Sequence, residues 1–306
     1  MKSAYYYPNV RIARRCAKSL VFTAILEYIQ AVTKKITTGA HMAEGSYTHE
    51  QIGGDHTSEL ERLKRQANTL QQIETKILAD AGLSQAKKII ELGCGPGFAT
   101  PLLAKIAPTA TILAADYAWE LISKVPENTR EVNHGNIYPI QSKGNEFAVR
   151  DNWGDFAYCR FLLQHVPKPE YLIAETFRSL ESGGKICIAD SDDGLIVNYP
   201  QDERAARILN RAQTMQQEYG GDRFIGRKLP ILLKQAGFSD IKSQVLMVTN
   251  TQIPFQALFG ILFGYKAAMS EMADLKQQLA VDLEQACNNG DAMLAAGVFV
   301  VTATKP

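Results

Sequence analysis

The run Ile89-Ile90-Glu91-Leu92-Gly93-Cys94-Gly95-Pro96-Gly97 constrains this chain more than any other stretch. An apolar run enters an acidic residue and then a loop with glycine at every second position. Phe98 to Ala107 reads as a helix, with Pro101 tolerable only in its first turn. Strand, glycine loop and helix open a nucleotide-binding α/β unit. Glycine lets a ligand approach the backbone where a Cβ would block it. The loop amides and the helix N-terminus favour polar or anionic groups. A glycine turn that binds nothing is the plainer reading, and the segments downstream must decide.

The spacing narrows the ligand. A dinucleotide fold wants G-x-G-x-x-G, the last glycine packing helix on strand. Here Phe98 holds that place. Glu91 would repel a pyrophosphate; it suits a cation, or a ligand rich in hydroxyls and amines. A phosphate loop needs a lysine after its glycines, and none follows. The run from Glu91 to Gly97 resembles the first motif of class I S-adenosylmethionine (SAM) dependent methyltransferases. The resemblance makes Glu91, Gly93, Cys94, Gly95 and Gly97 cofactor-binding.

The chain has 306 residues, 46% of them hydrophobic. That accommodates one large α/β domain with accessories, or two small domains. A formal net charge of +1 provides no overall field for nucleic acid or membrane. The cysteines are scattered without a C-x-x-C pair, so neither a zinc site nor a disulfide framework is indicated. Cys159 and Cys187 lie in apolar runs and read as reduced core residues, which fits the cytoplasm.

Residues 1–41 are basic, with Glu27 the only acid. Their apolar patch, Leu20 to Val32, is too short and too polar to span a bilayer. It lacks a clean secretory cleavage site. Three readings stand, in this order: an extension, artificial or encoded, ahead of a start at Met42; an accessory helix; a targeting peptide. Residues 42–83 read as a helical cap. Tyr47 sits in a polar, glycine-bearing loop. Ser58 and Glu61 form a capping box before an amphipathic helix, and a second short helix ends at Gly82. In methyltransferases of this kind such helices close over the cofactor. Arg62 and Arg65 would then meet the methionine carboxylate; the alternative is a solvated arginine pair.

Residues 84–306 read as the main domain. A second strand runs from Thr111 to Ala115 and ends at Asp116. An acid there accepts both ribose hydroxyls, which supports a nucleoside without singling out SAM; a plain helix N-cap is the alternative. Tyr117 or Trp119 would lie against the adenine. Residues 132–137 are expected to follow the third strand. There the resemblance gives Asn136 the adenine amino group, with Ile137 beside it. Gly154 to Arg160 is the fourth strand and leads to Phe161-Leu162-Leu163-Gln164-His165-Val166-Pro167, which looks like the family's fourth motif. Ligands bind at the carboxyl ends of such strands, so Arg160 and His165 fall near the methionine end. His165 is a candidate base, its ordinary pKa suiting proton transfer near neutrality; a packing histidine is the alternative. Asp190, Asp192 and Asp193 end a fifth strand. Without EF-hand spacing they point to a role near substrate or cofactor rather than to a metal. Ala236-Gly237-Phe238 resembles the family stretch before a sixth strand.

Residues 252–289 interrupt what is usually a simple hairpin. Phe255, Leu258, Phe259, Leu262 and Phe263 form one apolar helical face. It buries as a lid over the substrate, with Phe255, Phe259, Tyr47 and His165 as substrate contacts, or as a dimer interface or packing on the sheet. The chain is therefore expected to be monomeric or homodimeric. Together these features are similar to the small-molecule branch of the class I methyltransferases, in the style of the quinone-biosynthesis enzymes. The resemblance implies a Rossmann-like, doubly wound, seven-stranded sheet with an antiparallel last strand and helical lid elements at both ends. It also implies SAM as cofactor, a small, apolar or aromatic acceptor, and no metal. A SAM-binding protein without turnover and a nicotinamide oxidoreductase are the alternatives. No basic stripe or base-methylation signature points to nucleic acid.

Overall fold

The computed structural model describes residues 6–7, 10–11, 56–142, 147, 149–263 and 272–306. Within the basic extension, Tyr6–Tyr7 pairs antiparallel with Val10–Arg11. Tyr47 and the rest of residues 12–55 lie outside the described residues.

Seven strands form one sheet: β1 (Lys88–Leu92), β2 (Thr111–Asp116), β3 (Ile137–Gln141), β4 (Gly154–Arg160), β5 (Leu180–Tyr199), β6 (Ser239–Thr249) and β7 (Met293–Thr304). Their order is β3-β2-β1-β4-β5-β7-β6, with β7 antiparallel to both its neighbours. The doubly wound sheet with an antiparallel last strand is thus present. The sequence reversal lies beside β1, so the ends of β1, β2 and β4 frame one crevice.

The alternation of β1 explains why helices cover both faces. Ile89 joins the layer under α1 (His56–Asp80) and α2 (Thr100–Ile106), with Leu78, Leu103 and Ile112. Ile90 points the other way, against Leu172 of α5 (Pro169–Ser179) and Leu233 of α7 (Leu229–Gln235). Between β2 and β3 the chain makes two short helices, Trp119–Ile122 and Val125–Asn128.

Two local expectations change. The entrance is one helix, beginning two residues before Ser58, rather than two. No glycine or proline interrupts it before Gly82. The third strand follows residues 132–136 instead of preceding them.

A third cluster lies beyond β7. It joins α6 (Glu203–Glu218), α8 (Phe255–Phe263) and α9 (Ala273–Asn289) to Leu294 and Ala296. Phe255 stacks on Phe259, and Phe259 lies 4.6 Å from Phe263 between ring centroids. The helical interruption therefore has a core of its own. Next to it β5 breaks register: Ser191 faces Val298 and Ile196 faces Ala296, so residues 192–195 stand against Gly297 alone. A Cβ on Gly297 would lie 2.6 Å from Leu195 Cβ, so the bulge closes only over glycine.

Phe259 is 5% exposed. Phe259→Ala should cost about 3–5 kcal/mol of unfolding free energy in urea denaturation, with the mass in solution unchanged. Native stability with a shifted sedimentation coefficient would place Phe259 at an interface instead.

Candidate active site

Two turns cross at the carboxyl ends of β1 and β2, and Asp116 fastens them. Gly95 donates its N–H to Asp116 Oδ2 at 2.7 Å, and Ala118 donates to Oδ1 at 2.9 Å. The carboxylate retains acceptor capacity for a further donor. Burial pushes the Asp116 pKa up, and the amides of Ala118, Gly95 and Tyr117 draw it back. Gly95 has φ of 54°, and nothing lies within 4 Å of where its Cβ would stand. Its backbone therefore faces open space.

Glu91 is 3% exposed, and Thr100 donates its hydroxyl to Glu91 Oε2 at 2.7 Å. Burial pushes the Glu91 pKa up to about 7, against the Thr100 hydrogen bond and the Arg160 charge. Sequence reasoning misses Thr100; the available signal is a hydroxyl in the first turn of the helix that follows an acidic strand end.

A cavity of about 550 Å³ opens over these turns. One end is walled by Glu91, Gly93, Cys94, Gly95, Asp116 and Tyr117, with Ser142 and Phe147 beyond β3. The other end is apolar, lined by Leu63 and Leu70 of α1, Val248 of β6, and Leu258, Ile261 and Leu262 of α8. Gly97 is not in this wall; it packs against Val125.

Arg62 and Arg160 both line the cavity, yet each guanidinium is already held by a carboxylate. Arg62 pairs with Glu59 at 2.6 Å. Arg160 pairs with buried Glu74. Glu74 was not evident from the sequence, because it lies on α1, 86 residues from Arg160, whereas Glu59 is three residues from Arg62 on the same helix. Arg65 is exposed. Trp119 packs on the core under α2 and is not in the cavity wall.

Asn136 and Ile137 correct the expected adenine contact. Asn136 sits before β3, at the sheet end away from the glycine loop. Its amide donates to the Ala110 carbonyl at 2.7 Å, and Ile137 is fully buried core. Ser142 and Phe147, after β3, occupy the side of the cavity intended for them. Phe255 and Phe259 are likewise absent from the wall: they turn into the third cluster, while Leu258, Ile261 and Leu262 of the same helix face the cavity. Periodicity defines the helix but cannot tell which flank of an all-apolar helix meets a ligand.

His165 lines the cavity from the turn after β4, but not as a base of ordinary pKa. Burial, with Arg223 and Arg62 nearby, pushes its pKa down to about 3. The surrounding bonds fix its tautomer. Arg223 donates to Gln216 Oε1 at 3.0 Å, and Gln216 Nε2 donates to the Gln164 carbonyl at 2.7 Å. The amide orientation is therefore settled, and the same Nε2 lies 3.4 Å from His165 Nδ1. Nδ1 must accept, so Nε2 carries the proton and only donates.

The three aspartates expected to end the fifth strand lie within β5, which continues to Tyr199, and they are committed to the fold. Asp190 accepts the amides of Leu163 and Ser191, each at 2.8 Å. Asp192 pairs with Arg227 and Asp193 with Arg223. Among the described residues no three His, Cys, Asp or Glu side chains come together to hold a metal ion.

Residues 90–188 match the family described as methyltransferase domain. Over 118 residues the chain is 31% identical to trans-aconitate 2-methyltransferase of Variovorax paradoxus, covering 39% of this chain and 44% of that protein. The chain spans about half the length of the curated relatives it matches. Among solved structures, the YcgJ protein of Bacillus subtilis superposes with a TM-score of 0.53 at 12% identity, over 75% of this chain and 97% of that one. The [4+2]-cyclase SpnF superposes at 0.50 and 15% identity, over 94% of each chain. The fold and the glycine loop define a Rossmann-like domain of methyltransferase type. Over the matched stretch the chain is similar to the class I, SAM-dependent methyltransferases.

The tautomer is testable in the protein alone. Ring nitrogen NMR of His165 should show a neutral imidazole, protonated at Nε2, unchanged from about pH 5 to 8. Gln216→Glu should move the proton to Nδ1 and raise the pKa. Wild-type titration near pH 6.5 would remove this assignment.

Proposed function

We propose that this domain binds SAM and transfers its methyl group to a small, apolar acceptor. The observation that carries the reading is the crossing of the two turns at Asp116, with Glu91 beside it, at the polar end of a cavity whose other end is apolar. The residues present fit the cofactor. Asp116 retains acceptor capacity for a ribose diol. Gly95 leaves its backbone open, and a cationic methionyl end would offset the burial of Glu91. The Tyr158 hydroxyl, on the strand position beside Glu91, is buried without a partner and lines the same cavity.

SAM when bound supplies an electrophilic methyl on its sulfonium. The chain's own residues bind, orient and exclude water. Leu63 and Leu70 of α1 and Leu258 and Leu262 of α8 cover the apolar end, so the acceptor meets the methyl in a dry, aligned pocket. His165, with its pKa pushed down by burial, is not a ready proton acceptor. Among the described residues no helix is long and apolar enough to cross a membrane. The free cysteines Cys94, Cys159, Cys187 and Cys287 favour a reducing compartment such as the cytoplasm.

Asp116→Ala removes an acceptor for both ribose hydroxyls. SAM binding by calorimetry should weaken by about 1.5–3 kcal/mol. Wild-type affinity would take Asp116 out of the site, and binding of NADH in place of SAM would overturn the reading.

Glu91 gives a pH dependence of known sign. Its proton stays on up to about pH 7 in the ligand-free protein. A cationic ligand favours the carboxylate, so below that pH binding must release the proton. SAM affinity should rise with pH, approaching about tenfold per unit below pH 7 and levelling above it. Glu91→Gln should flatten the curve, whereas a flat wild-type curve would separate Glu91 from the cofactor's charge.

A further inference from the structure

The arginines of the cavity wall are charge-balanced before any ligand arrives. Arg62 is held by Glu59, Arg160 by Glu74 and Arg223 by Asp193, and beside them Arg227 is held by Asp192. Among the described lining residues the remaining cation is Lys168, which is exposed and lies over the Tyr171 ring. A carboxylate-rich acceptor would have to draw a guanidinium from its partner and strand that partner in a dry wall.

Among the described lining residues two hydroxyls lack a partner, that of Tyr158 beside Glu91 and that of Ser191. Ser191 Oγ is buried without a hydrogen bond, where β5 breaks register opposite Val298. Its companions in the lining include Ile196, Val248, Leu258 and Leu262. A hydroxyl left unpaired in apolar surroundings is costly, and native structures keep few of them. The bulge turns Asp192 and Asp193 toward Arg227 and Arg223, leaving Ser191 as the hydroxyl at this end with no bond to the protein.

We infer that the acceptor is an uncharged apolar molecule carrying one hydrogen-bonding oxygen, a hydroxyl or carbonyl, that pairs with Ser191. This rests on the methyl-transfer reading, which assigns the opposite end of the cavity to the cofactor. It separates the chain from a tricarboxylate acceptor such as trans-aconitate, although a relative carries that name.

The test is calorimetry in two stages on the full chain. S-adenosylhomocysteine is titrated first. With it saturating, 2-naphthol, naphthalene, 2-naphthoate and trans-aconitate follow. 2-Naphthol should bind about tenfold tighter than naphthalene, the worth of one hydrogen bond, and tighter still than either acid. Ser191→Ala should bring 2-naphthol down to naphthalene, and Ser191→Thr, which keeps a hydroxyl, should restore the gap. If Ser191→Ala fails to fold, the wild-type ranking and the threonine variant still decide. Preference for either acid, equal affinity for 2-naphthol and naphthalene, or binding of none of the four to the loaded protein would overturn the inference. Failure of S-adenosylhomocysteine to bind would instead overturn the methyl-transfer reading, and this inference with it.

Discussion

The carboxylate of Asp116 holds the site together. β1 and β2 are parallel neighbours, and their ends must turn in different directions to reach their helices. Asp116 accepts one amide from each turn, from Gly95 and from Ala118. That fixes the glycine loop against the end of β2 without filling the space above Gly95. A hydrophobic contact could hold the strands together but would not leave acceptor capacity facing the cavity. A second buried carboxylate, Glu91, is the register partner of Tyr158 on the neighbouring strand and is steadied by Thr100. The site therefore carries acidic groups whose burial is unfavourable alone and is relieved by a ligand rich in hydroxyls and positive charge.

At the other end of the cavity the logic reverses. There, among the described residues, each arginine is matched by a carboxylate of the chain, and for Arg223 and Arg227 the match depends on the bulge in β5. Gly297 allows residues 192–195 to leave the ladder, and they carry Asp192 and Asp193 to Arg227 and Arg223. Arg223 in turn orients Gln216, and Gln216 orients His165. One glycine on the last strand thus sets the electrostatics of a wall formed by four other segments. Such a chain of dependence behaves as a unit, so effects of single substitutions along it should not add.

The fold was legible because it rests on patterns local in sequence. The apolar run through Ile89 and Ile90, the glycine loop and Asp116 at the end of β2 pointed to a nucleotide-binding α/β unit, and the family resemblance implied the seven-stranded sheet. The site was legible where a residue's place on a strand end determines its direction, as for Glu91, Gly95, Asp116 and His165, all of which line the cavity. It was illegible where the partner is distant. Nothing near Arg160 indicates Glu74, and nothing near Arg223 indicates Asp193. Asn136 failed for a different reason: placing the third strand too early moved it to the wrong end of the sheet. Phe255 and Phe259 failed because α8 is apolar on more than one flank, and burial against α6 and α9 took the flank they occupy.

The protonation states bear on which nucleophiles this site can serve. His165 carries its proton at Nε2 and is too weak a base to gain another near neutrality. Asp193 is bound to Arg223, and Asp192 to Arg227. Glu91 lies at the polar end and shares a hydrogen bond with Thr100. On the methyl-transfer reading, then, the described wall of the acceptor end offers donors and packing rather than a ready proton acceptor. An acceptor whose nucleophilic atom holds a tightly bound proton would gain little here. One that presents a lone pair, or an acidic proton lost to water before entry, needs only to be aligned and dried. On that reading the hydroxyl of Ser191 orients the acceptor by its oxygen, and the apolar side chains of α1 and α8 close over the remainder.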